Sequence, residues 1–165
     1  MIILGIDPGT SRCGYGVIRD SGPSGLEMLS YGVIETEPNY PVPECLRGIF
    51  QKLLEIIDEF SPDAVAVEQL FYGANTQTAL SVGQARGVVL LAAANNSLSV
   101  SEYTPLQVKQ AVVGYGRAEK AQVQYMVKAL LKMSSLPSPD DAADALAVAI
   151  CHAHCRRMLK LVGQK

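Results

Sequence analysis

Ile2-Ile3-Leu4-Gly5-Ile6-Asp7-Pro8-Gly9 runs an apolar, isoleucine-rich stretch straight into a carboxylate and a turn signal. The run predicts a strand that Asp7-Pro8-Gly9 stops, since isoleucine suits a pleated surface and Pro-Gly punctuates it. Gly14 to Ile18 and Leu26 to Glu35 read as two further strands, separated by Ser21-Gly22-Pro23-Ser24-Gly25. Together they predict a three-strand antiparallel meander. Leu46, Ile49, Phe50, Leu53, Leu54 and Ile57 then recur at helical spacing, and Ser61-Pro62-Asp63 ends that helix. Ala64-Val65-Ala66-Val67, closed by Glu68, is apolar on both faces, as a central covered strand must be. A helix over Ala74 to Asn95, a strand over Leu98 to Tyr103, and helices over Pro105 to Val113, Ala118 to Met133 and Pro139 to about Leu159 complete the chain. Hairpin strands followed by alternating strands and helices predict an α/β fold. Its mixed five-stranded sheet has three antiparallel strands, then parallel ones, with helices on both faces. The expected organisation is one domain over residues 1–158 and a short tail over 159–165.

Composition narrows the class. The chain has 165 residues, 48% hydrophobic and 18% charged, which suits a packed core and excludes general disorder. Apolar runs such as Val88 to Ala94 and Ala145 to Cys151 fall far short of the roughly 20 residues a membrane span needs. The N-terminus has no basic lead before its apolar run, so no secretory signal is expected. Cys13, Cys45, Cys151 and Cys155 then read as free thiols in a reducing cytoplasm. The net charge of −2 conceals an asymmetry. Residues 1–108 carry five Lys/Arg against twelve Asp/Glu, whereas residues 109–165 carry nine against four. The basic third gives one surface a positive potential that suits a polyanion, although solvated helix faces explain it as readily.

Four carboxylates stand in demanding places. Asp7 ends the first strand, where turn chemistry also accounts for it. Glu68 ends the covered strand, and ligands of open α/β sheets gather at such carboxyl ends. In Ser138-Pro139-Asp140-Asp141, Ser138 reads as a helix N-cap, Pro139 as the first helical residue, and the acids as charges favouring the positive helix end. Asp144 lies among Ala142, Ala143, Ala145, Leu146, Ala147, Val148, Ala149 and Ile150, so its charge needs a cation, a donor or a solvent-filled cleft. Asp141 and Asp144, three apart, project from one side of that helix. Two strand-end and two helical carboxylates suit Mg²⁺, which takes hard oxygen ligands. A pair of such ions about 4 Å apart clamps both oxygens of an in-line phosphodiester displacement.

Gly5-Ile6-Asp7-Pro8-Gly9 and Gly14-Tyr15-Gly16-Val17-Ile18 resemble the opening of RuvC-type Holliday junction resolvases. Val67-Glu68-Gln69-Leu70-Phe71, Gly83-Gln84-Ala85-Arg86-Gly87, Gln107-Val108-Lys109-Gln110, Gly114-Tyr115-Gly116, Ala118-Glu119-Lys120 and Asp141-Ala142-Ala143-Asp144-Ala145-Leu146-Ala147 are similar to later blocks, colinear over roughly residues 2–155. The resemblance implies an RNase H-like fold. It also implies a homodimer that cuts four-way DNA junctions in recombination and repair, leaving 5′-phosphate and 3′-hydroxyl ends. By position, Asp7, Glu68, Asp141 and Asp144 take the roles of metal-binding catalytic carboxylates for Mg²⁺, with Mn²⁺ as substitute and two ions per site. Asp140 lies off the motif and is left as a capping charge. Lys109 and Lys120 correspond to lysines near the DNA backbone, and Phe71 to an aromatic that engages bases; by its own chemistry, a Lys120 near the scissile phosphate could stabilise developing charge as well as bind. Branch-migration proteins of the RuvA and RuvB kind are implied partners.

The residue chemistry accommodates these roles. Lys109, Arg117 and Lys120 surround the Gly114-Tyr115-Gly116 loop, where cations neutralise phosphates and release counterions. Phe71 and Tyr72 can stack on bases for about 1–3 kcal/mol each, or simply edge the core. Cys151-His152-Ala153-His154-Cys155 makes a poor zinc site on a helix, since its histidines point away from the shared cysteine face. Gly9-Thr10-Ser11 resembles the phosphate loop of actin-like ATPases and sugar kinases, which need two lobes where this length supplies one. An RNase H-like nuclease on another nucleic acid, and a non-catalytic junction-binding module, remain the alternative readings.

Overall fold

The computed structural model describes residues 1–37, 39–69 and 76–163. Its strands are β1 (Ile2–Asp7), β2 (Arg12–Asp20), β3 (Leu26–Glu35), β4 (Ala64–Glu68) and β5 (Ser99–Tyr103). Its helices are α1 (Val42–Phe60), α2 (Thr76–Asn95), α3 (Pro105–Val113), α4 (Lys120–Leu130) and α5 (Asp140–Val162). They form one five-stranded sheet in the order β3-β2-β1-β4-β5, as the expected α/β arrangement requires. β1, β2 and β3 pair antiparallel, while β4 pairs parallel with both β1 and β5. No helix among the described residues is long and apolar enough to cross a membrane.

The two-residue period of β1 and β4 divides the core. Leu4, Ile6, Val65 and Val67 face α1 and α2, whereas Ile3 and Ala66 face α3, α4 and α5. The α5 side is paved with small residues. A Cβ on Gly5 would strike the Ala145 carbonyl, one on Gly14 the Asp141 carbonyl, and one on Gly16 the Leu146 backbone and side chain. Glycine at these positions lets α5 lie directly on the strands. The alanines at 142, 143, 145, 147 and 149 give α5 the matching thin surface, each at most 1% exposed. Leu146 and Ile150 are fully buried there, which is worth roughly 1.5–3 kcal/mol apiece.

Several boundaries differ from the expectation: β2 is longer at both ends, β5 begins at Ser99 and α4 begins at Lys120 rather than Ala118. α4 stops at Leu130 rather than Met133, because Lys132 adopts φ +53° and the Met133 N–H donates to the Lys128 carbonyl at 2.9 Å. That is a Schellman closure with lysine at the left-handed position where glycine usually signals the end. At the start of α5, Pro139 rather than Ser138 is the N-cap, with extended backbone and no side-chain cap, so the helix begins at Asp140. Pro139 offers no N–H and supplies instead the carbonyl that receives the Ala142 and Ala143 N–H groups. At its other end α5 continues through Val162, beyond the expected stop near Leu159.

Candidate active site

Parallel pairing sets Ile6 of β1 against Val67 of β4, so Asp7 and Glu68 follow side by side at the carboxyl ends of adjacent strands. Period-two alternation puts both on the face that α5 covers. The glycine-paved contact brings the first turns of α5 over the same spot, adding Asp141 and Asp144. Thus the structure gathers all four carboxylates expected from the sequence.

Their electrostatics record the crowding. Burial, then the charges of Glu68, Asp144 and Asp141, push the Asp7 carboxyl up to about 8. Burial first, and then Asp144, raise Glu68 as well. Burial also raises Asp144, opposed by Lys120. Like charges this close in a partly desolvated place favour a bound proton or a cation.

Two cations already serve the cluster. Arg12 Nε donates to Asp141 Oδ2 at 2.8 Å, and its Nη1 lies 3.4 Å from Glu35 Oε1. Lys120 Nζ stands 3.1 Å from Asp144 Oδ2 and 3.2 Å from Asp140 Oδ2. Asp140 also accepts from Gln124 Nε2 at 2.9 Å. Sequence alone makes Asp140 a capping charge; it lies in the first turn of α5, and its carboxylate also anchors Lys120. Arg12, Glu35 and Gln124 are further members of the site that sequence reasoning misses. The one available signal is that Arg12 begins the strand beside the Asp7 turn.

Lys109 and Lys120 are set by their helix starts. Thr104 and Gln107 form a reciprocal capping box at the head of α3, and the Glu119 N–H donates to Gln122 Oε1 at the head of α4. Both lysines line a cavity of about 210 Å³ together with Glu68, Asp144, Val108, Val123 and Ala147. Arg117 is exposed on the α3–α4 loop and does not line that cavity. Phe71 and Tyr72 lie outside the described residues.

The donor set fits a hard divalent cation in chemistry: four carboxylates with mutual repulsion and oxygen ligands only. Among the described residues, however, no three His, Cys, Asp or Glu side chains close round a single point. The reason lies in the ion pairs, since Asp141 is turned to Arg12 and Asp144 to Lys120. The Cys151 to Cys155 segment is committed elsewhere. Cys151 donates to the Gln107 carbonyl, His152 Nδ1 meets Tyr103 Oη at 2.9 Å, and His154 Nδ1 meets the Ala111 carbonyl at 2.9 Å.

Comparison with known proteins places these features in a family. The family model described as crossover junction endodeoxyribonuclease RuvC matches residues 3–152. The crossover junction endodeoxyribonuclease RuvC of Desulforamulus reducens is 58% identical over 153 residues, covering 93% of each chain. A structure of T. thermophilus RuvC in complex with Holliday junction substrate superposes with a TM-score of 0.91 at 40% identity, covering 96% of both chains. The yeast mitochondrial Holliday junction resolvase Ydc2, at 16% identity, covers 96% of this chain and 81% of its own with a TM-score of 0.68, a likeness of fold.

Proposed function

This chain belongs to the family of the crossover junction endodeoxyribonuclease RuvC, and from that premise we infer that it resolves four-way DNA junctions by paired phosphodiester cuts. The fold is RNase H-like. The observation that best supports the chemistry is the raised Asp7 carboxyl, which registers the nearby charges of Glu68, Asp144 and Asp141.

Asp7, Glu68, Asp141 and Asp144 are the side chains that would hold Mg²⁺ or Mn²⁺. A divalent cation bound there supplies Lewis acidity, lowering the pKa of water and offsetting charge on the phosphate. Lys109 and Lys120 bring positive charge to the cavity beside the carboxylates. A DNA backbone entering it therefore exchanges its condensed counterions for fixed ones. Lys120 Nζ lies 3.1 Å from Asp144, and its charge would offset the charge that develops on a phosphate held beside these carboxylates. Arg117, Phe71 and Tyr72 extend the DNA contact, the aromatics by stacking on bases. Two matched cuts need two matched sites, which a twofold homodimer provides. Free thiols at Cys13, Cys45, Cys151 and Cys155 are in keeping with work in a reducing cytoplasm.

The test offers the purified protein a mobile four-way junction, a linear duplex and an RNA–DNA hybrid, each with Mg²⁺ and with chelator. Symmetric paired nicks in the junction alone, and only with metal, are expected. Cutting of the hybrid with the junction spared would assign another nucleic acid. Tight junction binding without cuts at any metal would reduce the protein to a binding module.

A further inference from the structure

Arg12 is the described basic residue that contacts the carboxylate cluster without a role in the reading above. It opens β2 directly opposite Glu35 of β3, so its side chain starts from a fixed strand end between two acids. Its guanidinium spans both, with the shorter contact of 2.8 Å to Asp141 and the longer of 3.4 Å to Glu35. The Asp141 carboxylate is thereby held by the Arg12 guanidinium. Lys120 does the same on the opposite side, bridging Asp144 and the outer Asp140. Each helical carboxylate of the cluster is therefore shared with a cation that also has an acid outside the cluster.

We propose that Arg12 is a resident counter-ion that competes with the divalent cation for Asp141 and retires to Glu35 when displaced. The proposal rests on Asp141 being a metal ligand. A guanidinium keeps its charge at any working pH, so it cannot yield by losing a proton and must move. Arginine and a divalent ion on one carboxylate repel at a few Å, and the repulsion is strongest where water is partly excluded. Glu35 makes the move inexpensive, because it already holds one end of the fork and is 66% exposed. A positioning role follows for Glu35: it governs how firmly Arg12 holds Asp141, and so how readily the site takes up metal.

The test is Mn²⁺ binding to the full chain without DNA, read by electron paramagnetic resonance of free Mn²⁺ at fixed ionic strength. Arg12→Met should tighten binding about two- to fivefold, the scale of a partly exposed ion pair. Lys109→Met calibrates the general field, because Lys109 lines the cavity that holds Glu68 and Asp144 but makes no ion pair among the described residues. Arg12→Met must exceed it. Glu35→Gln should weaken binding in the wild-type background and lose most of that effect in the Arg12→Met background, the signature of acting through Arg12. An Arg12→Met protein that binds Mn²⁺ no more tightly than Lys109→Met overturns the proposal, as does an undiminished Glu35→Gln effect in the double variant. Asp141→Asn separates the two levels. If it weakens Mn²⁺ binding while Arg12→Met does nothing, the competition alone is wrong; if it leaves binding unchanged, the ligand assignment falls and the proposal with it.

Discussion

The backbone carbonyl of Asp141 occupies the place where a Cβ of Gly14 would stand. Gly14 is also the register partner of Asp7. One missing methyl group thus links the antiparallel ladder, the seating of α5 and the meeting of helical with strand-end carboxylates.

Gly14→Ala should therefore damage stability and activity together. The added methyl would push on backbone rather than on a flexible side chain, at a cost of about 1–3 kcal/mol. Gly48 is the control: it lies inside α1, and a Cβ added there would meet nothing within 4 Å. Gly48→Ala should stabilise by about 0.5–1 kcal/mol through helix propensity. Urea midpoints of the two variants should move in opposite directions.

Asp7 makes the metal-free protein less stable as pH rises. Folded Asp7 keeps its proton up to about 8, whereas its ordinary value is 3.8. Between those values the folded state binds more protons than the unfolded one, so stability present below about pH 4 is lost progressively toward pH 8. His152 has the opposite sign: burial lowers it below 6.5, and its contribution is lost as pH falls. The comparison with Asp7→Asn isolates the carboxyl. With chelator present, the wild type should lose urea stability relative to Asp7→Asn from pH 5 to pH 8. A constant difference between the two proteins would remove the crowded-carboxylate account.

Arg157 ties the far end of α5 to the sheet. Its guanidinium engages both Asp20 oxygens, with Nε at 3.2 and 3.4 Å, and the Asp20 side chain is only 6% exposed. Burial alone would raise Asp20, but hydrogen bonds from Arg157 and the Gly22 N–H bring it below its ordinary value. Arg157→Leu leaves the carboxylate one backbone partner and should cost about 1–3 kcal/mol, measured by urea unfolding at neutral pH. The loss should shrink in acid, where Asp20 protonates. An equal loss at all pH values would mean that Arg157 contributes packing alone.

How much is legible in the sequence follows from how local each signal is. The strands around Asp7 and Glu68 announce themselves through apolar runs and turn residues, and those same patterns place both carboxylates at strand ends. Asp144 is legible because a charge in an alanine-rich, fully covered helix demands a partner. The end of α4 is not, since its left-handed residue is Lys132 and lysine carries no turn signal. The start of α5 is misread at Ser138 because a serine before proline looks like a cap whether or not its side chain is used. Arg12 pairs with Asp141 across 129 positions. Nothing short-range encodes such a contact, so only the fold reveals it, and the same holds for Asp140 with Lys120.

The most direct test of the central claim sets wild type beside Asp7→Asn on one labelled four-way junction with Mg²⁺, read by band shift and by denaturing gel. The account predicts paired symmetric nicks from the wild type, and junction binding of similar strength with no nicks from the variant. Nicking by Asp7→Asn at the wild-type rate would contradict it.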